Sequence, residues 1–233
     1  MRRLVLVRHG ESIWNSEARI QGQACAGLSD IGHRQAAAVA PVLAAAHPDA
    51  RLFVSDLQRC AETIGPLIEA LDREPVVDPA LRERAFGDWE GRLRTEVAES
   101  EPQRWARFRA GEDVLPEVGG ESSQQLSDRV VPVFEELAAT TAPGGVAIAV
   151  THGGPVWHAS HRLVGLTPPT LGGVDNTSIT ELLFLDDGRV LLDRWNDIGH
   201  LGTDLRTQMG RRATGAAPSA PSSTTPSAST SST

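Results

Sequence analysis

The chain has 233 residues and a formal net charge of −8, and every one of its 22 lysine-or-arginine positions is an arginine. The length suits one α/β domain with a small insertion, and the acidic balance argues against a nucleic-acid-binding protein. The apolar run after Met1-Arg2-Arg3 ends at Arg8, too early for a signal peptide or a membrane span. Cys25 and Cys60 have no metal-binding or disulfide spacing. We therefore expect a soluble, cytoplasmic protein without a nucleic-acid or membrane partner.

Strands and helices alternate along the sequence. We expect Ser29 and Ser55 to be the N-caps of the helices that follow the first and second strands, and Ser122 or Ser123 to begin a later helix. The predicted strands, read from apolar and β-branched runs, are residues 3–7, 51–54, 76–77, 146–150, 182–185 and 190–192, the last two forming a hairpin. This alternation predicts an α/β protein, a three-layer α/β/α sandwich around a mostly parallel central sheet.

Composition divides the chain into one folded unit and a tail. We expect residues 1–205 to form one domain, with a small helical cap inserted at about 92–120, where the sequence is rich in charge and poor in strand signals. After Arg212 only Thr, Gly, Ala, Pro and Ser occur. Such a segment buries too little apolar surface to offset its ordering entropy, so we predict a disordered tail over residues 210–233.

Basic and imidazole side chains follow three of the predicted strands. Arg8 and His9 end the first strand, Arg59 comes shortly after the second, and His152 follows a later one. The carboxyl ends of parallel strands meet at one edge of a sheet, so these side chains should share a crevice. They repel one another unless an anion lies between them, and a phosphomonoester dianion meets that need. Gly153 and Gly154 add backbone N–H groups at a helix N-terminus, which also favours an anion.

These residue types can carry out phosphoryl transfer. His9 is the candidate nucleophile, because a neutral imidazole nitrogen can attack phosphorus. Arg8, Arg59 and His152 would hold and neutralise the phosphate oxygens. Glu83 is the candidate general acid, and later the base that activates water, since a carboxyl beside a dianion is pushed toward its protonated form. The scheme needs no metal ion and no cofactor, and the sequence offers no metal-ligand cluster.

Four motifs resemble those of a known family. They are Arg8-His9-Gly10-Glu11, Ser55-Asp56-Leu57-Gln58-Arg59, Leu81-Arg82-Glu83-Arg84-Ala85-Phe86-Gly87-Asp88-Trp89-Glu90-Gly91 and Thr151-His152-Gly153-Gly154. Their order and spacing resemble the histidine phosphatase superfamily, in its phosphoglycerate-mutase-like branch, from residue 3 to about residue 196. The resemblance assigns the same catalytic roles, through a phosphohistidine, to the residues named above. It also implies phosphate or substrate contacts for Asn15 and Gln21, for which a solvated loop is the alternative.

The family contains phosphatases, which release phosphate to water, and mutases, which return it to the substrate. The mutases carry a longer insert with a Lys/Arg cluster for the substrate carboxylate, whereas here the segment after Glu83 is short and lysine is absent. We therefore predict a phosphatase for small-molecule phosphomonoesters, of the sugar phosphate or phosphoglycerate type. A cofactor-dependent phosphoglycerate mutase is the alternative. A non-catalytic phosphate-binding protein ranks third, because all the motif residues that catalysis needs are present.

The arginines of the insert can be interpreted in two ways. Either they meet an acidic substrate or they lie on a solvated helix face. The residues concerned are Arg92, Arg94, Arg104, Arg107 and Arg109. A homodimer is compatible with the sequence, which does not determine the oligomeric state.

Overall fold

Six strands form one mixed sheet in the computed structural model, which describes residues 1–24 and 27–207. The strands are β1 (Arg2–Arg8), β2 (Arg51–Val54), β3 (Val76–Val77), β4 (Val146–Thr151), β5 (Ile179–Phe184) and β6 (Val190–Asp197). Their order is β3-β2-β4-β1-β5-β6. The first four strands are parallel to one another, β5 is antiparallel to β1, and β6 is antiparallel to β5. The predicted mostly parallel sheet is confirmed.

Helices cover both faces of this sheet. In chain order the helices of the described residues are α1 (Ile13–Ser16), α2 (Asp30–Ala46), α3 (Gln58–Leu71), α4 (Arg94–Ser100), α5 (Pro102–Arg109), α6 (Ser123–Ala139) and α7 (Gly153–Val164). Helices α2 and α3 pack against Val5 and Val7 of β1, while α6 and α7 pack against Leu4 and Leu6 of the same strand. Successive side chains of a strand point to opposite faces, so an uninterrupted apolar run supplies two cores. The structure has the three layers that the sequence predicted.

The segment 92–120 lies over the carboxyl edge of the sheet and has a small core of its own. It contains α4, α5 and a short 3₁₀ helix at Leu115–Val118. Trp89, which is fully buried, packs edge-on against Phe108 with ring centroids 5.5 Å apart, and Val97 and Leu115 belong to the same cluster. We call this segment the cap, because its residues line one wall of the site described below.

Two local predictions were wrong. Helix α3 begins at Gln58, and Leu57 precedes it without a side-chain cap, so Ser55 is not its N-cap. The closing hairpin is longer than predicted, because Thr180 and Glu181 interrupt the apolar pattern yet are buried. Glu181 is accommodated by an ion pair with Arg194 on the neighbouring strand, at 3.3 Å.

Some expectations fall on residues that the structure does not describe. The predicted tail at residues 210–233 lies outside the described residues, as does Cys25. In the portion that is described, no helix has the length and apolar character that crossing a membrane requires.

Candidate active site

The predicted site residues meet at the carboxyl edge of the parallel strands. Arg8, at the end of β1, is in register with Thr151, at the end of β4. His9 and His152, one residue further along each chain segment, therefore face each other with ring centroids 5.1 Å apart. A cavity of about 280 Å³ opens beside them. Among the predicted residues, those lining it are Arg8, His9, Asn15, Gln21, Arg59 and Glu83. His152 and Gly153 are not among the lining residues.

The imidazole of His9 is held in one tautomer. Its Nδ1 lies 2.7 Å from the carbonyl oxygen of Gly10, to which it must donate a proton, so Nε2 keeps the lone pair. The ring is buried. Burial, together with the positive charges of Arg59 and Arg8, holds the pKa of His9 well below its usual value. His9 is thus a neutral imidazole with an available Nε2, the form that a nucleophile requires.

Arg8 presents an unsatisfied donor to the site. Its Nη1 donates to the Val174 carbonyl at 2.6 Å, but its buried Nε has no hydrogen-bond partner among the described residues. Burial lowers the pKa of Arg8 to about 10, with Arg59 and Arg94 adding to the effect against the opposing pull of Glu83 and Asp175. Because an unpaired buried donor is costly, the Arg8 guanidinium indicates a place for an anion.

Arg59 is held in place by backbone and imidazole together. Its Nη2 and Nη1 donate to the carbonyl oxygens of Gly22, at 2.8 Å, and Ala24, at 2.9 Å. Its Nε donates to Nδ1 of His152 at 3.2 Å. The guanidinium is fully buried, so its orientation is fixed before a ligand arrives.

His152 is fixed on two sides. With Nδ1 accepting from Arg59, Nε2 carries the proton and donates to the Ser55 hydroxyl at 2.9 Å. Burial first, and then the charge of Arg59, keep the pKa of His152 well below its usual value. The Cys60 thiol lies 3.4 Å from Nε2, and burial raises the pKa of that thiol to about 12, which keeps it uncharged. A dianion in the cavity would favour protonation of His152, but the added proton would lie on Nδ1, so the Arg59 contact at that atom would have to open.

Glu83 reaches the site from the segment that precedes the cap. Its carboxylate accepts from the backbone N–H of Arg84, at 2.8 Å, and from that of Gly154, at 3.1 Å and 3.2 Å. A Cβ at position 154 would overlap Glu83 Oε1, so any other residue there would displace the end of the Glu83 side chain. We expected the N–H groups of the Gly153-Gly154 turn to serve the anion. That of Gly154 serves Glu83 instead.

Asn15 and Gln21 both line the cavity. Asn15 Oδ1 accepts from Ser12 N and from Asn176 Nδ2, each at 3.3 Å. Gln21 Oε1 accepts from the Ser12 hydroxyl at 2.8 Å. Because the oxygen atoms are engaged, the amide nitrogens are the donors left for a ligand.

Sequence reasoning missed several supporting residues. Ser55 contacts His152, Asn176 donates to the His9 carbonyl at 3.0 Å, and Glu90 anchors the loop whose carbonyls hold Arg59. Ser55 and Glu90 were noted as parts of motifs, but only the folded chain shows their partners. Gly10 lies close to α2: a Cβ at this position would lie 2.7 Å from the Gly32 carbonyl oxygen.

Fold and site together define a class: an α/β protein with arginine and histidine side chains gathered at the carboxyl edge of its parallel strands. The chain belongs to the histidine phosphatase superfamily (branch 1), whose sequence pattern matches residues 4–198. The family predicted from the motifs is therefore confirmed.

Relatives and solved structures agree with this membership. The chain is 34% identical over 203 residues to a metal-independent phosphoserine phosphatase from Arabidopsis thaliana, covering 86% of this chain and 83% of that protein. It is 34% identical over 224 residues to glucosyl-3-phosphoglycerate phosphatase from Mycolicibacterium vanbaalenii, covering 88% and 99%. A mycobacterial glucosyl-3-phosphoglycerate phosphatase solved with VO3 superimposes with a TM-score of 0.76 at 35% identity, over 84% of this chain and 99% of that one. These matches confirm the prediction of a phosphatase that acts on phosphomonoesters.

Proposed function

We propose that the chain hydrolyses a small-molecule phosphomonoester in two steps, through a phosphohistidine on His9 and without a metal ion. The observation that carries this proposal is the state of His9: neutral, with Nδ1 bonded to the Gly10 carbonyl and Nε2 available. The unpaired Nε of Arg8 and the fixed guanidinium of Arg59 surround it with donors for phosphate oxygens. Nucleophile and charge-stabilising groups thus share one cavity.

In the first step, Nε2 of His9 attacks phosphorus and the bond to the ester oxygen breaks. Arg8, Arg59 and His152 stabilise the charge on the equatorial oxygens. Glu83 gives a proton to the leaving oxygen, so the alcohol departs neutral. In the second step, Glu83 takes a proton from water as the water oxygen attacks phospho-His9. Inorganic phosphate is released, and His9 and Glu83 return to their starting states.

A second cavity gives the leaving group room. Its volume is about 610 Å³, and it meets the phosphate cavity at Glu83, Phe86, Phe108 and Arg109, which line both. The relatives named above act, by their names, on phosphoserine and on glucosyl-3-phosphoglycerate. We infer a substrate of this kind, a phosphomonoester of modest size whose alcohol lies in the larger cavity.

Arginine and histidine side chains take the part that a divalent cation plays in other phosphatases. One relative is named metal-independent. Among residues 1–24 and 27–207, no group of three or more His, Cys, Asp and Glu side chains is placed to hold a metal ion. Full activity after exhaustive EDTA treatment would support this part of the proposal, whereas a requirement for added Mg²⁺ or Zn²⁺ would contradict it.

Trapping the intermediate tests the proposal directly. After mixing with ³²P-labelled phosphomonoester and quenching without acid, label should remain on His9, as located by peptide mapping. His9→Ala should lose both the label and phosphate release, while His33→Ala, a change at an exposed imidazole, should keep both. Label on another residue, or turnover by His9→Ala, would overturn the mechanism. Efficient interconversion of 3- and 2-phosphoglycerate with little phosphate release would instead identify a mutase.

A further inference from the structure

The guanidinium of Arg129, on α6, makes five hydrogen bonds, one for each of its N–H groups. Nε and Nη2 donate to the two carboxylate oxygens of Glu121, at 2.9 Å and 2.8 Å. The other bonds go to backbone carbonyl oxygens: Nη1 donates to Ala80 at 2.8 Å and Arg82 at 2.9 Å, and Nη2 donates to Glu83 at 3.3 Å. A guanidinium has no further donor, so Arg129 is fully committed to Glu121 and to the segment that leads to Glu83.

Glu121 holds the chain on the other side of Glu83. Its backbone N–H donates to the carbonyl oxygen of Ala85 at 2.9 Å, and its own carbonyl oxygen accepts from Nε of Arg84 at 2.6 Å. The neighbouring Gly120 is so close that a Cβ there would lie 2.7 Å from the same Ala85 carbonyl oxygen. One ion pair and the backbone beside it therefore fix the residues before and after Glu83.

The position of the Glu83 carboxylate depends on the backbone that carries it. Among the described residues, only the backbone N–H groups of Arg84 and Gly154 donate to this carboxylate, and no side chain does. A general acid must lie within hydrogen-bond distance of the oxygen that it protonates. A displacement of about 1 Å at a reacting group can cost about 10²-fold in rate. Whatever holds the backbone at Glu83 therefore affects proton transfer.

We propose that Arg129 and Glu121 form a positioning pair for the general acid: by holding the backbone on both sides of Glu83, they direct its carboxyl group toward the ester oxygen of the substrate. Neither residue lines either of the two cavities described above, so the pair acts through Glu83 and not by contact with substrate. The inference rests on the proposed function, because it requires Glu83 to protonate the leaving group. Damage to the pair should therefore affect most strongly those substrates whose leaving group needs the proton.

Arg129→Lys tests the pair while keeping its charge. Lysine leaves a cation beside Glu121 but lacks the planar fork that reaches three carbonyl oxygens. Burial first, and then several positive charges that include Arg129, lower the pKa of His152, and lysine retains this charge. Phenyl phosphate and p-nitrophenyl phosphate are similar in size, but phenol is the poorer leaving group. We expect kcat/KM for phenyl phosphate to fall about fivefold more than kcat/KM for p-nitrophenyl phosphate.

The ratio of these two kcat/KM values separates positioning from stability. A partly unfolded variant has fewer active molecules, so both values fall by the same factor and their ratio is unchanged. Glu121→Gln keeps the size of the side chain but places an NH₂ group against a donor of Arg129, and it should lower the ratio of phenyl to p-nitrophenyl phosphate as well. Arg73→Lys is the control. Its Nη1 donates to the carbonyl oxygen of Ala50, at 2.7 Å, before the start of β2 and away from the site, and neither value should change.

A double variant connects the effect to Glu83. Glu83→Gln should lower the same ratio, and adding Arg129→Lys should lower it no further, because the general acid is already absent. Selective loss in Glu83→Gln with equal losses on both substrates in Arg129→Lys and Glu121→Gln would overturn the positioning pair and leave the proposed function intact. Equal losses on both substrates in Glu83→Gln would overturn the general-acid role, and the pair with it. A further fall of the ratio in the double variant would show that Arg129 does not act through Glu83 and would likewise reject the pair.

Discussion

The Ser55 hydroxyl lies 2.9 Å from Nε2 of His152, on the opposite side of the imidazole from the Arg59 contact at Nδ1. The ring is therefore oriented by one hydroxyl and one guanidinium, both fully buried. Arg59 would also bind the substrate phosphate, which leaves Ser55 as the fixed support of His152. This bond ties the end of β2 to the turn after β4.

Removing this hydroxyl should weaken catalysis more than folding. We expect Ser55→Ala to lower kcat/KM for p-nitrophenyl phosphate by about tenfold, since His152 would lose its orienting hydrogen bond. Ser55→Thr keeps the hydroxyl and should restore most of the activity. Ser160→Ala is the matched control, because Ser160 is also buried but its hydroxyl has no partner among the described residues. Similar kcat/KM for Ser55→Ala and the wild type would show that His152 needs no such support.

Glu83 can be tested by changing the leaving group. Glu83→Gln keeps an oxygen for the N–H of Gly154 but has no proton to give. We expect kcat/KM to fall about 10²–10³-fold with glycerol 3-phosphate, and much less with p-nitrophenyl phosphate, whose leaving group needs little protonation. The ratio kcat/KM reports the first step, so slow hydrolysis of phospho-His9 does not affect the comparison. Glu99→Gln, at an exposed position of α4, is the control. Equal losses on both substrates would remove Glu83 from the general-acid role.

Glu90 positions Arg59 indirectly, through the loop whose carbonyl oxygens accept from the guanidinium. Its carboxylate accepts from the backbone N–H groups of Gln23, at 3.0 Å, and Ala24, at 3.1 Å, in the loop whose carbonyls hold the guanidinium. Glu90→Gln places an NH₂ group against one of these donors. The KM for p-nitrophenyl phosphate and the inhibition constant of inorganic phosphate should therefore both rise, by about tenfold.

The control for Glu90 is Glu96→Gln in the cap. Glu96 also accepts from a backbone N–H, that of Leu93 at 2.8 Å, but this bond lies away from Arg59. It should leave phosphate inhibition unchanged. If Glu90→Gln binds phosphate as the wild type does, the loop does not depend on this carboxylate.

Much of the fold and the centre of the site could be predicted because their signals are local. The run from Leu4 to Val7 is apolar on both faces, and that pattern is typical of a buried parallel strand. Strand ends in a parallel sheet share one edge, so residues as distant as His9 and His152 could be placed together from the sequence alone.

Partnerships across long stretches of sequence could not be predicted. A serine after a strand is typical of a helix N-cap, yet the hydroxyl of Ser55 bonds to a side chain 97 residues away. The cap arginines show the same limit. Arg107 and Arg109 stand two positions apart in one helix, and only the packing of the cap determines that the first meets glutamates and the second meets the cavity.

His158 provides a test of stability against pH. It lies on α7 among the residues that line the larger cavity. Burial, followed by the charge of Arg84, lowers the pKa of His158 to about 4. In the unfolded chain the same imidazole has a pKa of about 6.5. Between these two values the unfolded chain takes up a proton that the folded protein does not, so the free energy of unfolding falls as the pH is lowered through this window.

We expect His158→Gln to flatten this dependence. One such proton contributes up to about 1.4 kcal/mol per pH unit, so the drop in the free energy of unfolding between pH 6 and pH 5 should be about 1 kcal/mol smaller in His158→Gln than in the wild type. Urea titrations at pH 7.5, 6 and 5 measure it. His9 and His152, which also have lowered pKa values, are present in both proteins and cancel in the comparison. His33→Gln, at an exposed imidazole, should follow the wild-type curve. Parallel curves for His158→Gln and the wild type would show that His158 takes up its proton equally in both states.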